Sequence, residues 1–344
     1  MQDAPLGRTG LTVSRICLGT MTFGEQNSEA EAFAILDRAV EAGVTFVDTA
    51  EMYPVPPRAA TAGRSEEILG RWIGSRRRRD GLVVATKITG PGWAHIRGGD
   101  GRFGRRQIDA AVDGSLRRLA IDAIDLYQLH WPERPTNMFG RRGYVHEAAG
   151  DWTPFEETLA ALARHVAAGK IRAVGVSNET PWGVMRLLTL AERSGLPRIA
   201  AIQNPYSLLN RLFEVGLAEV AIGEDCGLLA YSPLAMGTLS GKYLGGRTPA
   251  GARLTLFPDY RRYTKPRAVA ATEAYVALAR RFGLDPAQMA LAYVRSRPFV
   301  TSMIIGVTTL EQLRTDLAAA DLALDPEVVA GIEAIHQDNP DPAP

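Results

Sequence analysis

Four residues within the first 130 positions, Asp48, Tyr53, Lys87 and His130, have the chemistry of a proton donor built around a carbonyl oxygen. A tyrosine with its ordinary pKa of about 10 is a poor acid at neutral pH unless a neighbouring cation stabilises the phenolate. Lys87 can supply that cation, and Asp48 can hold the ammonium by a charge-assisted hydrogen bond. His130 can orient the carbonyl oxygen or share the proton. Singly, each is ordinary: a loop tyrosine, a strand-end ion pair, a satisfied core histidine. Their places in the chain give them weight, because each lies at the end of an apolar run or just beyond one.

There are eight such runs, rich in β-branched residues and each closing on a polar residue, a glycine or a short turn. They are Ile16–Thr20, Val44–Thr49, Leu82–Lys87, Ile124–His130, Ile171–Asn178, Ile199–Asn204, Gly227–Ser232 and Ser302–Val307. Nearly continuous apolar character marks strands covered on both faces, as in a parallel sheet, and helical patterns separate them. Eight β-then-α units predict an α/β fold of the (β/α)8 TIM-barrel type, with its active site at the C-terminal ends of the strands. The four polar side chains would then converge on one pocket.

Flanking signals agree with that alternation. Leu6–Gly10 and Leu11–Ile16 read as a hairpin turning at Arg8-Thr9-Gly10, placed to plug the bottom of the barrel. Ser28 with Glu31 forms a capping box, and Thr153-Pro154, Thr180-Pro181, Asp285-Pro286 and Asp325-Pro326 each pair an N-cap residue with a proline at the first helical position. Gly43 and Gly169 stop the helices before the second and fifth runs. Three connections, Met52–Gly63, Trp131–Asp151 and Ser232–Lys265, are long enough to be lids or binding loops. The tail, residues 339–344, is expected to fray.

The 344 residues are 46% hydrophobic and 22% charged, which suits one barrel domain spanning residues 1–344. A net charge of +1 gives no electrostatic reason to expect nucleic acid or an anionic membrane as partner. Arg76–Arg79 reads as a solvated helix C-terminus complementing the helix dipole rather than as an anion patch. Two cysteines, Cys17 and Cys226, form neither a disulfide framework nor a zinc-ligand spacing, and both are expected to be buried thiols. A metal is not expected, since only His130 of the five histidines ends a strand, whereas a metal-dependent barrel hydrolase places several ligands there. With no secretory signal pattern and no apolar stretch of about 20 residues, a cytoplasmic location is expected.

Longer motifs carry a resemblance. They are LGRTGLTVSRICLGTMTFG (Leu6–Gly24), VDTAEMY (Val47–Tyr53), DLYQLHWP (Asp125–Pro132), GKIRAVGVSNE (Gly169–Glu179), QNPYSLLNR (Gln203–Arg211), AYSPLAMGTLSGKY (Ala230–Tyr243) and IIGVTTLEQL (Ile304–Leu313). Over essentially its whole length the chain resembles the aldo-keto reductase superfamily, in the branch holding Tas-like proteins and potassium-channel β-subunits. The resemblance implies that Asp48, Tyr53, Lys87 and His130 form a tetrad with Tyr53 as general acid. It also implies NADP(H) laid across the barrel mouth, and no GxGxxG turn opens a βα unit here to suggest a Rossmann site.

On that resemblance Gly19, Thr20, Met21 and Asp48 border the cofactor. Ser177, Asn178 and Gln203 hydrogen-bond the nicotinamide carboxamide, and Tyr231 stacks on its ring. Ser232, Pro233, Leu234, Ala235 and Gly237, followed by Leu239, wrap the pyrophosphate. Lys242 and Arg253 meet the 2′-phosphate, whose charge approaching −2 needs cations. Gly306, Thr308, Gln312 and Asp316 take the adenosine end, where relatives often carry asparagine in place of Asp316 and glutamate in place of Thr315. Simpler readings stand beside these: Ser177 and Asn178 as a turn before the helix capped at Thr180, Lys242 and Arg253 as solvated cations, and Gln312 as part of a capping box with Thr309.

Met21, Tyr53, Trp93, His130 and Trp131, with Met138 and Phe139, are expected to line an apolar substrate pocket. The implied activity is NADPH-dependent reduction of a small-molecule aldehyde or ketone. A second class is a cofactor-binding regulatory module of the channel-β type with little turnover. The sequence leaves a homo-oligomer open and does not identify the carbonyl compound.

Overall fold

In the computed structural model, which describes residues 1–77, 79–141, 143–147 and 150–344, the eight runs form eight parallel strands closed into a barrel. They are β3 (Ile16–Gly19), β4 (Phe46–Asp48), β5 (Val83–Ile88), β6 (Ile124–Leu129), β7 (Ile171–Ser177), β8 (Ile199–Gln203), β9 (Leu228–Tyr231) and β10 (Val300–Ile305). Each pairs with the next in sequence, and β10 closes the ring on β3 through Met303↔Ile16, Ile304↔Cys17 and Ile305↔Leu18.

Side chains alternate across each strand with a period of two. Cys17, Phe46, Val83, Ala85, Leu126, Ala173, Ala201, Leu229 and Ile304 fill the barrel interior. Their neighbours Ile16, Leu18, Val47, Val84, Tyr127, Val174, Ile202 and Ala230 pack outward under the helices. Both faces are therefore apolar, which is why the strands read as unbroken hydrophobic runs. The same parity has a consequence at the C-terminal ends. Asp48 stands two residues after Phe46, Lys87 two after Ala85, Gln128 two after Leu126, Gln203 two after Ala201 and Tyr231 two after Leu229, so all five aim into the barrel.

The hairpin is present, shifted from its expected place. Its strands are β1 (Asp3–Pro5) and β2 (Thr12–Ser14), so residues 6–11 form the turn that had been read partly as strand. Leu6 donates its N–H to Leu11 O at 2.9 Å and turns its side chain, with that of Val13, into the barrel interior, sealing the bottom. Inward packing of Leu6 fixes this register; the alternation of the sequence there is too short to do so.

Most helix starts form as expected. Ser28 and Glu31 make the capping box, Thr180 Oγ1 accepts from Gly183 N–H, and Asp285 accepts from Ala287 and Gln288 N–H. The Thr153 cap does not form: the helix Phe155–Ala167 is capped by Pro154, because Thr153 gives its hydroxyl to Glu133 Oε1 at 3.2 Å. Gly43 and Gly169 follow their helices with φ of 88° and 71°, the left-handed region where glycine is unstrained.

One further expectation holds in part and another is corrected: Arg76 and Arg77 end the helix Arg64–Arg76 exposed, as a solvated C-terminus should be, while Arg79 is packed. Of the Arg76–Arg79 run, Arg78 lies outside the described residues. Arg76 pairs with Asp37, and Arg79 reaches Asp125 Oδ2 at 2.7 Å and Ala123 O at 3.1 Å, tying the loop to β6. The tail does not fray either: Ala343 is fully buried with its N–H on Leu209 O, and Asp341 accepts from Arg211 N–H at 2.5 Å. Both cysteines are buried free thiols. Among the described residues no helix is long and apolar enough to cross a membrane.

Candidate active site

The inward polar residues at the strand ends form one hydrogen-bonded cluster. Lys87, fully buried, places Nζ 2.5 Å from Asp48 Oδ2, 2.8 Å from Thr49 O and 3.4 Å from the Tyr53 hydroxyl. The ammonium also lies 4.7 Å from the centroid of the Tyr53 ring. His130 also packs against that ring, edge to face, with centroids 5.6 Å apart. Thus the four residues expected to meet do meet. Asp48 and Lys87 come from strands, whereas Tyr53 follows β4 in the loop and His130 follows β6.

Burial sets the protonation states. The Tyr53 phenol is raised above its ordinary value by desolvation, with Lys87 pulling the other way. Burial alone would lower the Lys87 pKa, but Asp48 and the Tyr53 oxygen beside it hold it above the usual lysine value. His130 is pushed well below the imidazole range by desolvation and then by Lys87, and is therefore neutral at physiological pH. Its Nδ1 is buried with no partner. Lys87 acts on Tyr53 in the expected direction, towards the phenolate, but burial outweighs it, and Tyr53 keeps its proton as a donor must.

Gln128 was not anticipated. Its Nε2 donates to Asp48 Oδ1 at 3.1 Å, and Gln203 Nε2 donates to the same oxygen at 2.9 Å and to Gln128 Oε1 at 3.1 Å. Asp48 is thereby held by an ammonium on one oxygen and two amides on the other. The available signal was a glutamine two residues after Leu126 and two before His130 in the run Ile124–His130. Gln203, expected to face a ligand, points its amide nitrogen inward at the carboxylate.

Above this cluster opens a cavity of about 1680 Å³. Sites for drug-sized ligands usually occupy about 300–1000 Å³, so there is room for a dinucleotide together with a substrate. Its wall includes Gly19, Met21, Asp48, Tyr53, Trp93, His130, Trp131, Ser177, Asn178, Gln203, Tyr231, Ser232, Pro233, Leu234, Gly237, Lys242, Arg253, Gly306, Thr308, Gln312 and Asp316. Four expected residues lie behind it. Lys87 is covered by Asp48 and Tyr53. Thr20 is fully buried and gives its hydroxyl to Asp48 O at 3.1 Å. Ala235 and Leu239 pack outward into the core under the helices.

Along one side Asn178 donates to His130 O at 2.9 Å and accepts from the Tyr231 hydroxyl at 2.7 Å, while Ser177 Oγ donates to Gln203 O at 2.7 Å. The loop after β9 makes a tight left-handed turn, with φ of 50°, 56° and 85° at Ala235, Met236 and Gly237. At Gly237 a Cβ would come within 2.7 Å of Lys242 Nζ, so the glycine is what lets the ammonium lie against the backbone.

The far end is charged. Lys242 is lowered by burial and by Arg253, with Asp316 opposing. Asp316, 4% exposed, is raised to about 7 by burial and then by Asp285, with Lys242 opposing. Arg253 reaches Gln26 Oε1 at 3.3 Å and is within electrostatic reach of both Tyr53 and Lys242, which places it between the two ends of the cavity. Gln312 also behaves as a cap: its Oε1 accepts from Thr308 N–H at 2.9 Å, and its own N–H donates to Thr309 Oγ1.

Comparison with known proteins agrees with this arrangement. Residues 15–337 match the Aldo/keto reductase family. The chain is 53% identical over 346 residues to Protein tas of Escherichia coli (strain K12), covering 100% of both chains. It is 35% identical over 336 residues to the Uncharacterized oxidoreductase YrpG of Bacillus subtilis (strain 168), covering 96% of this chain and 94% of the relative. It is 33% identical over 351 residues to a Probable voltage-gated potassium channel subunit beta of Oryza sativa subsp. japonica, covering 99% and 98%. With a closed barrel, buried polar strand ends and this match along its length, the chain belongs to the aldo/keto reductase family and is an oxidoreductase.

Proposed function

We propose that this oxidoreductase reduces an aldehyde or ketone to the alcohol with NADPH, Tyr53 acting as general acid with Lys87, Asp48 and His130. The observation that carries the reading is the position of Lys87 Nζ, shared between the Asp48 carboxylate and the Tyr53 hydroxyl on the cavity floor. The residues suit the nucleotide: a roomy cavity, the Gly237 cradle beside Lys242, and the unpartnered Nδ1 of His130. Ser177, Asn178, Gln203 and Tyr231 would hold the nicotinamide, the loop 232–237 the pyrophosphate, and Lys242 with Arg253 the 2′-phosphate.

When bound, the cofactor supplies a hydride to the carbonyl carbon. The protein supplies the rest. As negative charge builds on the carbonyl oxygen, Tyr53 passes its proton there, and Lys87 stabilises the phenolate left behind. Asp48 keeps the ammonium in place, and its two amide partners keep Asp48 from rotating. His130, being neutral, can hydrogen-bond the carbonyl oxygen without competing as an acid. Holding the two reactants side by side in the correct orientation can lower a barrier by roughly 7–11 kcal/mol.

Tyr53→Phe tests the reading. It is expected to lower kcat by at least about 10²–10⁴-fold across a panel of carbonyl compounds while NADPH still binds. Unchanged kcat with every reduced carbonyl overturns it. Negligible wild-type turnover, with slow single-turnover oxidation of bound NADPH, would favour the regulatory-module reading, for which the rice channel-subunit relative is the support.

A further inference from the structure

The segment Val47–Tyr53 carries one charged residue that the proposed chemistry leaves unused, Glu51. It stands two residues before Tyr53 and is 6% exposed. A carboxylate taken that far out of water needs hydrogen bonds and a counter-ion. Both lie at the end of the strand that carries Lys87.

Past Asp48 the chain keeps running along β5: Thr49 N–H donates to Ala85 O at 2.9 Å, and Glu51 N–H donates to Lys87 O at 3.2 Å. In a parallel ladder the next bond would run from Thr89 N–H to the backbone carbonyl of Glu51. The Glu51 side chain takes that N–H instead, at 2.5 Å from Oε1. Its own backbone is thereby free to turn. Tyr53 N–H comes back to Ala50 O at 3.1 Å, and the Tyr53 hydroxyl lies 3.4 Å from Lys87 Nζ. Glu51 thus grips β5 on both sides of the residue after Lys87, with its backbone at Lys87 O and its carboxylate at Thr89 N–H.

Arg97, in the connection after β5, closes the clamp. Its side chain, 11% exposed, donates through Nη1 to the same Glu51 oxygen and through Nη2 to Thr89 O at 2.7 Å. Its φ is 46°, in the left-handed region where a residue with a side chain is strained, so its surroundings must hold it there. Ile96, next in the chain, joins Ala50, Met52, Tyr53 and Trp131 in one apolar cluster. The connection is therefore fastened where it walls in Tyr53.

We propose that Glu51 is a positioning residue for the general acid: its carboxylate, clamped by Arg97, fixes the turn that sets the Tyr53 hydroxyl beside Lys87 Nζ. What Tyr53 does there rests on the carbonyl-reductase reading, while the positioning rests on the geometry of the turn.

Glu51→Ala tests it in crystals and in kinetics. Relative to a crystal structure of wild type, the Tyr53 hydroxyl is expected to move about 1 Å or more from Lys87 Nζ, a misplacement that can cost about 10²-fold in rate. Across the panel of carbonyl compounds used for Tyr53→Phe, kcat and kcat/KM should fall together by about that factor, with KM and NADPH affinity changed by about threefold or less. Glu51→Gln keeps an acceptor for Thr89 N–H and should recover kcat to within about tenfold of wild type. Arg79→Met, which breaks the pair with buried Asp125 at the opposite end of β5 and β6, should lose stability and leave kcat unchanged. Should Glu51→Ala not fold, Arg97→Met is read in the same two ways, with a loss of kcat of about tenfold that the added Glu51→Gln partly restores. A Tyr53 hydroxyl that stays in place in these variants, or a kcat that survives its displacement, overturns the proposal. Displacement of Tyr53 in a protein whose wild type reduces no carbonyl supports the positioning and removes the reductase reading.

Discussion

Gln203 and Asp48, 155 residues apart in sequence, meet across the barrel interior, with the glutamine Nε2 2.9 Å from Asp48 Oδ1. The carboxylate that anchors Lys87 is thus fixed from the opposite wall as well as from its neighbours. A residue expected to serve a ligand also holds the buried polar cluster, so any ligand contact at Gln203 and the geometry of Asp48 are mechanically linked.

The first prediction concerns the buried ion pair. Lys87→Met leaves Asp48 charged and buried with only amide partners, and breaking such a pair typically costs about 3–5 kcal/mol. Adding Asp48→Asn removes the stranded charge and is expected to restore part of the loss. Urea unfolding of both variants checks this; a double variant less stable than Lys87→Met alone would contradict it.

Acid sensitivity should trace partly to His130. Its folded pKa is depressed below the unfolded value, so the unfolded chain takes up a proton first as pH falls. The stability contributed by keeping this imidazole neutral is present above about pH 6.5 and is lost as pH drops below it. His130→Gln is expected to lose less Tm between pH 7 and pH 5 than wild type does. An identical drop in the two proteins would show that other groups, His336 among them, carry the whole effect.

Asp316 has the opposite sign from a paired carboxylate. Its folded pKa, about 7, lies above the unfolded value of about 3.9, so ionisation works against the fold and stability falls as pH rises between those values. Asp316→Asn should raise Tm at pH 8 and change it little at pH 4. Lys242 stands close by, and removing the carboxylate should also strengthen NADPH binding at pH 8. Fluorescence titration of NADPH at the two pH values reads the second effect.

Gly237→Ala should act on Lys242. The added methyl meets Lys242 Cε and Nζ at 2.7 Å, and alanine is strained at φ 85°. The ammonium can swing aside, so folding is expected to lose about 1 kcal/mol while NADPH affinity falls about tenfold. Lys242→Ala should abolish the preference for NADPH over NADH. Equal affinity of wild type for the two nucleotides would remove the 2′-phosphate assignment.

The barrel was legible because its strands are apolar on both faces, whereas the period-two parity that turns particular polar residues inward needed the observed strand register. Asp48, Lys87 and His130 were readable only in combination, as polar ends of adjacent strands, since singly each passes as an ion pair or a core histidine. Tyr53 and the loop after β9 drew attention by motif alone. Gln128 escaped because a lone amide inside a strand passes as an interruption until its partner is seen. The hairpin register and the packed tail depended on single buried side chains, Leu6 and Ala343, which composition and spacing do not specify.

The seam of the cylinder has a consequence for how the molecule is made. Because β10 zips onto β3, and Ser302 Oγ reaches back to Ser14 O at 2.8 Å, the last strand synthesised completes a sheet begun nearly 300 residues earlier. During translation the growing sheet keeps two bare edges, each able to recruit the wrong neighbour, until the ribosome has released the final strand. Only then can the polar floor close into a ring, so a nascent chain stalled before Val300 should be vulnerable to proteases and chaperone-bound even with Asp48, Tyr53, Lys87 and His130 already in hand.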